Sequence, residues 1–266
     1  MKILAIGDPH GNLDKIKKIP IKNIDLILLT GDLGKADLAR KHFFENIKRE
    51  QTGLEKLEKS TAQTKAIYKE IYNSTISILA YLSKKAPTYL IEGNMETPTI
   101  SRIEKIEKKH NINFHKTKKQ LKSISNFHLV KNNLRNIGKL KIGFLEYFTD
   151  TSYVKEFKPT NYKERMQEAK KETEKAKKIL KRFELKIDIL VCHQPPFGIL
   201  DKVNFPGVPK NWLGKHAGSK TILKYIKKYQ PKYVFCGHIH EGKGFKQIGK
   251  TKIYNLGTAG YKIIEI

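Results

Sequence analysis

Seven side chains able to hold a metal stand in five short segments: Asp8-Pro9-His10, Gly31-Asp32, Gly93-Asn94, His193 and Gly237-His238-Ile239-His240. Each segment closes an apolar run of strand length. Residues two apart in an extended chain face one way, so Asp8 with His10, and His238 with His240, are each expected to reach one pocket. The set holds two carboxylates, four imidazoles and one amide, too many donors for one tetrahedral zinc. It suits two divalent ions sharing a bridging carboxylate, for which Asp32 is the natural choice. Mixed nitrogen and oxygen ligation favours Mn, Fe, Zn, Ni or Co over Ca or Mg. Any one of these aspartates alone would read as a turn or helix-capping residue, and Asp14 and Asp25 are left to that reading.

The elements that must position these groups follow from the pattern. Strands are expected at 1–6, 25–30, 88–92, 187–192 and 232–236, each ending at one of the five segments. Residues 36–86 read as helical, with Leu54, Leu57, Ile67, Ile71, Ile78 and Leu82 at helical spacing. The stretch 99–122 is charged and helical, and short strands are expected near 126–130 and 140–146. A Lys- and Glu-rich helix at 160–184 carries charges three and four apart, the signature of a solvated face. Ser219 starts a helix to about Tyr229, and two or three short strands complete the chain. This order indicates a layered α/β domain, in which reactive groups gather beyond the C-terminal ends of the strands. Residues 1–266 are expected to form one domain, with helical insertions at about 36–86 and 150–185.

Composition narrows the class. No apolar run reaches membrane-spanning length, and the first residues do not read as a signal peptide, so a cytoplasmic protein is expected. Cys192 and Cys236 end apolar runs and read as small buried residues, not as ligands or a disulfide. The chain has 53 basic and 26 acidic residues, for a formal charge of +27. That favours a nucleic-acid partner. Only six of the basic residues are arginine, however: Arg40, Arg49, Arg102, Arg135, Arg165 and Arg182. Evenly spread lysine reads first as a solvated surface, because bidentate phosphate grips favour arginine.

Taken in order, Asp-x-His, Gly-Asp, Gly-Asn, His and Gly-His-x-His closely resemble the motifs of the calcineurin-like metallophosphoesterases. The resemblance runs from residue 8 to residue 240. The segments from His193-Gln194-Pro195-Pro196-Phe197-Gly198 to Gly237-His238-Ile239-His240-Glu241-Gly242 are similar to a microbial branch of predicted phosphoesterases. It implies a four-layer αββα sandwich with two mixed β-sheets and a two-metal site. By position, Asp8, His10, Asp32 and His240 would hold the first metal. Asp32, Asn94, His193 and His238 would hold the second. The implied reaction is hydrolysis of P–O bonds in phosphate esters, phosphodiesters first, by a hydroxide bridging the metals.

One position departs from the family pattern. Gly-Asn-His is common at the third motif, where that histidine assists the phosphoryl group or the leaving oxygen; here Met95 follows Asn94. Methionine neither donates a proton nor carries charge, which favours substrates with good leaving groups. Glu96 is expected to be a partner of the ligands or the start of the next helix. His216 lies in the long loop after His193, before a helix whose N-terminus would accept phosphate, and is a candidate substrate contact. Two other readings remain: a nuclease using the same site, and a non-catalytic metal-binding interaction module.

Overall fold

The computed structural model describes residues 1–95, 99–184, 187–205 and 208–266. Lys2–Ile6 (β1), Leu26–Leu29 (β2), Thr88–Leu90 (β3) and Phe127–Leu129 (β4) lie side by side and parallel. Leu134–Ile137 (β5), Leu140–Leu145 (β6), Ile189–Cys192 (β7), Tyr233–Cys236 (β8), Gly244–Ile248 (β9) and Thr251–Asn255 (β10) form a second sheet, in the order β5-β6-β7-β8-β10-β9. Its outer pairs, β5 with β6 and β9 with β10, are antiparallel. Tyr261–Glu265 (β11) returns to the first sheet and pairs antiparallel with β1. Both sheets are therefore mixed, with parallel centres.

The central strands are apolar on both faces because both faces are covered. Ile3 and Ala5 of β1, with Leu26 and Leu28 of β2, turn inward against Ile189 and Val191 of β7 and Tyr233 and Phe235 of β8. The alternate residues Leu4, Ile6, Ile27 and Leu29 turn outward. They meet Ile16 of Leu13–Lys17 (α1) and Ile78, Leu79 and Leu82 of Thr61–Leu82 (α3). On the far side, Leu190, Cys192, Val234 and Cys236 pack under Tyr162–Arg182 (α7) and Lys220–Tyr229 (α8) through Ile179, Leu180, Ile222 and Ile226. The layers run helix, sheet, sheet, helix. Truncating a fully buried residue such as Leu28 would cost about 2–5 kcal/mol.

The insertions differ from the sequence reading. Residues 36–86 are not one helical stretch: Asp37–Gln51 (α2) stops at Thr52-Gly53, and α3 starts afresh at a capping box of Ser60 and Gln63. Gly53 adopts φ +73°, which glycine tolerates and a helix does not. Leu54 and Leu57 fall in the gap, exposed by 54% and 44%, and contribute no helical face. Ile100–His110 (α4) and His115–Lys122 (α5) divide the next charged stretch. Ahead of α7 lies Thr151–Phe157 (α6), capped by Asp150 and ended by Lys158 at φ +45°.

A half-buried acidic pair, Glu92 and Glu146, marks where the ends of β3 and β6 approach. The Tyr147 amide donates to the Glu92 carbonyl (3.1 Å), and Glu146 accepts from Asn132 Nδ2 (2.5 Å). Arg102 pairs with Glu92. Burial first, and the Glu92 charge second, push the Glu146 carboxyl up to about 7 from 4.5, against Lys131, Arg102 and Lys175. Between those two values the folded state holds a proton that the unfolded chain has released. The contribution of Glu146 to stability is therefore full below about pH 4.5 and is lost as pH rises through about 7. Glu146→Gln is expected to flatten the pH dependence of urea-unfolding stability across that window and to raise stability at higher pH. An unchanged slope would remove this role from Glu146.

Candidate metal centre

The five motif turns all leave the C-terminal ends of parallel strands: Asp8 after β1, Asp32 after β2, Asn94 after β3, His193 after β7, and His238 and His240 after β8. Because the two sheets face each other, these ends converge. Backbone hydrogen bonds lace the turns together. His10 N donates to Asp32 O (3.0 Å), Gly11 N to Leu33 O (2.7 Å), and Gly237 N to His193 O (2.8 Å). His10, Asp32 and His238 adopt φ +45°, +43° and +66°, left-handed values that each cost about 1–3 kcal/mol outside glycine. Strain at three of the seven candidate ligands is the kind that tight packing around a site sustains.

The alternation expected for the histidine pair is not how the structure arranges it. β8 ends at Cys236, His238 turns left-handed, and His240 opens a 3₁₀ turn through Gly242. The two rings consequently diverge. His240 Nε2 lies 3.0 Å from His10 Nε2 and 3.4 Å from Asp8 Oδ2. His238 Nδ1 lies 3.1 Å from Asn94 Oδ1, which also faces His193 Nε2 at 2.8 Å. The structure thus brings all seven together, five of them in two overlapping groups, with Asn94 and His238 joined to His193 through the Asn94 oxygen. Asp8, His10 and His240 form one carboxylate–imidazole cluster, and Asp8, Asp32 and His193 form another. The carboxylate common to both clusters is Asp8.

Second-layer contacts fix how these groups can act. His193 Nδ1 donates to the Thr30 carbonyl (2.9 Å), so its Nε2 carries the lone pair. That lone pair faces the Asn94 oxygen, with Asp32 Oδ2 3.5 Å away. Converging acceptors of this kind repel unless a cation lies among them, so the donor set fits divalent metal. Asp8, fully buried, accepts from Thr30 Oγ1 (2.9 Å) and from the His238 backbone. Met95 N donates to Asp32 Oδ1 (2.9 Å). Tyr147 sets its ring 5.8 Å from that of His193 and 5.3 Å from that of His238.

Burial dominates the electrostatics. It pulls His10 and His238 down to about 3, aided at His10 by the Arg40 charge and at His238 by His193. Both rings are neutral at physiological pH, the form that ligates metal. Burial likewise raises Asp32, against the pull of His193. At Asp8 burial also pushes upward, but His193, His240 and His10 outweigh it and hold the carboxyl below its usual range. Two buried carboxylates side by side are costly unless positive charge compensates both.

Among the other candidates, His216 sits in a dyad. Its Nδ1 lies 2.7 Å from Asp201 Oδ1, and Asp201 Oδ2 accepts from Gly198 N (2.9 Å) and Gly218 N (3.0 Å). The helix N-terminus expected to take phosphate is already engaged. Asp150, itself buried, accepts from Thr221 N (3.1 Å) and Ser219 Oγ (2.6 Å), and Ser219 Oγ accepts from Ile222 N (3.1 Å). Glu96 lies outside the described residues. Cys192 and Cys236 are free and buried, and burial pushes both thiols up, away from the thiolate form that binds metal. Among the described residues, no helix is long and apolar enough to cross a membrane.

Comparison with known proteins agrees with this geometry. Residues 1–242 match the calcineurin-like phosphoesterase family, and the chain belongs to that family of metal-dependent phosphoesterases. Phosphopantetheinyl hydrolase from Mycobacterium tuberculosis shares the fold, with a TM-score of 0.56 at 10% identity over 97% of this chain and 89% of that one. Another crystal structure superposes with a TM-score of 0.61 at 18% identity, covering 99% of this chain and 94% of its own. Shorter similarities link the chain to the UPF0046 protein T07D4.2 of Caenorhabditis elegans, 37% identical over 26% of this chain and 16% of that protein. The uncharacterized protein MJ1162 of Methanocaldococcus jannaschii is 32% identical over 30% of this chain and 36% of its own length. The matched segments thus span well under half of these relatives.

Proposed function

We propose that the protein is a phosphodiesterase with a dinuclear metal centre. The observation that carries this reading is the convergence of acceptor atoms from Asp8, His10, Asp32, Asn94, His193, His238 and His240 at the facing strand ends. Asp8, His10, Asp32 and His240 would hold one ion, and Asp32, Asn94, His193 and His238 the other. When bound, two divalent ions supply a lowered pKa for water and Lewis-acid charge for phosphoryl oxygens. The chain supplies the rest. Thr30 and the His238 backbone fix Asp8, the Met95 amide fixes Asp32, and the Thr30 carbonyl fixes the tautomer of His193.

Met95 offers no proton to a leaving oxygen at the third motif, so another group must supply it. His216 is the proposed proton source instead. With Nδ1 held by Asp201, its Nε2 is the nitrogen left to hand a proton to a departing alkoxide. A shared fold with an enzyme named phosphopantetheinyl hydrolase puts phosphopantetheinyl esters among the substrates worth testing.

The test is a panel of mono- and diesters, activated and alkyl, with a polynucleotide, assayed in Mn²⁺, Ni²⁺ and Zn²⁺ beside metal analysis. Turnover of diesters above monoesters, with two ions per chain, is the expected result. His216→Ala should cost about 10²-fold on an alkyl leaving group and far less on p-nitrophenolate, which needs no proton. Full metal occupancy without turnover of any activated ester would overturn the enzymatic reading in favour of an interaction module.

A further inference from the structure

We infer that Arg40, carried by the helical insertion, grips the phosphoryl oxygens of the substrate at this centre. The inference rests on the phosphoesterase reading above and extends it to a residue outside the motif turns. Arg40 Nη2 lies 2.9 Å from His10 Nδ1 and 3.0 Å from His10 Nε2, against a ring that belongs to the site. One nitrogen so placed makes no straight hydrogen bond to both ring atoms, and a neutral imidazole offers only one lone pair. The guanidinium has little else to bind. Among the described residues, its only carboxylate within 4.0 Å is Asp37, itself 60% exposed and at that limit. Arginine presents five donors in a fixed fork, and here only Nη2 lies against His10 while Nη1 reaches Asp37 at 4.0 Å.

The charge balance points the same way. With divalent ions added, the His10 end of the site would carry cations on two sides. That arrangement is stable when an anion with several oxygens completes it, and a phosphate ester is such an anion. A guanidinium beside the His10 ring would then meet non-bridging oxygens where charge develops during P–O cleavage.

The position is built, not incidental. α2 begins five residues after Asp32, and Ala36, fully buried, accepts from Arg40 N (2.9 Å). Leu38 N donates to Glu70 Oε2 (3.0 Å) and Lys35 N to Ser74 Oγ (2.8 Å), which ties the first turn of α2 to α3. Met95 and Ala39 pack on one apolar cluster with Ile71, Tyr72 and Ile103. The third motif thus gives its side chain to seating the helix that carries the cation. No residue of α2 is buried, so the helix contributes its arginine to the site more than it contributes core.

The experiment compares wild type, Arg40→Lys and Arg40→Ala, each loaded with Mn²⁺. Metal stoichiometry and affinity are measured first, then the affinity for inorganic phosphate by titration calorimetry, then kcat and KM on an activated diester. Arg40→Ala is expected to weaken phosphate binding by about 10–100-fold with metal affinity unchanged. Arg40→Lys should recover part of it, since the charge remains and the fork is lost. Phosphate affinity within twofold of wild type in Arg40→Ala would overturn the assignment. So would a loss of phosphate binding that only tracks a loss of metal, because Arg40 would then merely position His10. If wild type itself bound neither metal nor phosphate, the phosphoesterase reading would fall and this inference with it. Retained wild-type turnover with an indifferent Arg40→Ala would sink the inference alone.

Discussion

Asp32→Asn is expected to lower metal-dependent turnover by about 10³-fold or more, equivalent to roughly 4 kcal/mol of lost transition-state stabilisation. The substitution keeps the shape of the side chain and an oxygen for the Met95 amide, which now donates to Oδ1 at 2.9 Å. What disappears is the negative charge at a position only 3% exposed, where water compensates poorly for its loss. An effect of that size on kcat/KM, with metal content reduced from two ions toward one, identifies Asp32 as the shared ligand. Full activity after chelation and return of Mn²⁺ would exclude it.

Gly237→Ala is expected to weaken metal binding by about 10²-fold or more, although no ligand is changed. A Cβ at Gly237 would stand 2.2 Å from Asp8 Oδ1 and 2.6 Å from Asp8 Oδ2. Asp8 has no room to yield, because Thr30 Oγ1 and the His238 backbone both hold it. The added methyl group therefore displaces either the carboxylate or the turn that carries His238 and His240. Gly53→Ala is the control: nothing lies within 4 Å of its Cβ position, and its φ of +73° predicts a stability cost of about 1 kcal/mol without change in metal affinity. Competition against a chelator of known affinity measures both. Equal metal affinity in Gly237→Ala and wild type would show that the close approach is not what shapes the site.

Much of the site is legible in the chain because the same physical device is used five times. An apolar strand ends in a turn built with glycine or proline, and one or two candidate metal ligands stand there. Residue type and position relative to the strand are both local properties, so sequence reveals them. The direction of each ring is not local. His238 and His240 look alternating, yet the left-handed turn at His238 sends them to different neighbours. Asp201 escaped notice because its partner His216 is fifteen residues away and meets it only through a loop bridge between Lys202 and His216. Arg40 escaped for a similar reason, since nothing in a helical periodicity says which exposed side chain reaches back over a turn. Its rarity among so many lysines was the available signal.

The layers themselves were easier to read than the insertions. Continuous apolar runs such as Leu26–Leu29 demand cover on both faces, and only a layered fold gives it. Leu54 and Leu57 carried no such demand. Their spacing imitated a helical stripe across a stretch that Gly53 had already broken. The short helix α6 depends on one capping aspartate, Asp150, whose second duty at α8 becomes visible only when the fold brings the two helix starts together.

The contact between His10 and His240 joins residues separated by 230 positions in the chain. Chain-closure entropy makes such a contact one of the later ones to form. A chain emerging from the ribosome presents Asp8, His10, Asp32 and Asn94 long before their partners exist. Until the last quarter is made and β8 docks, no complete centre can assemble. An interrupted product therefore carries only part of the candidate ligand set.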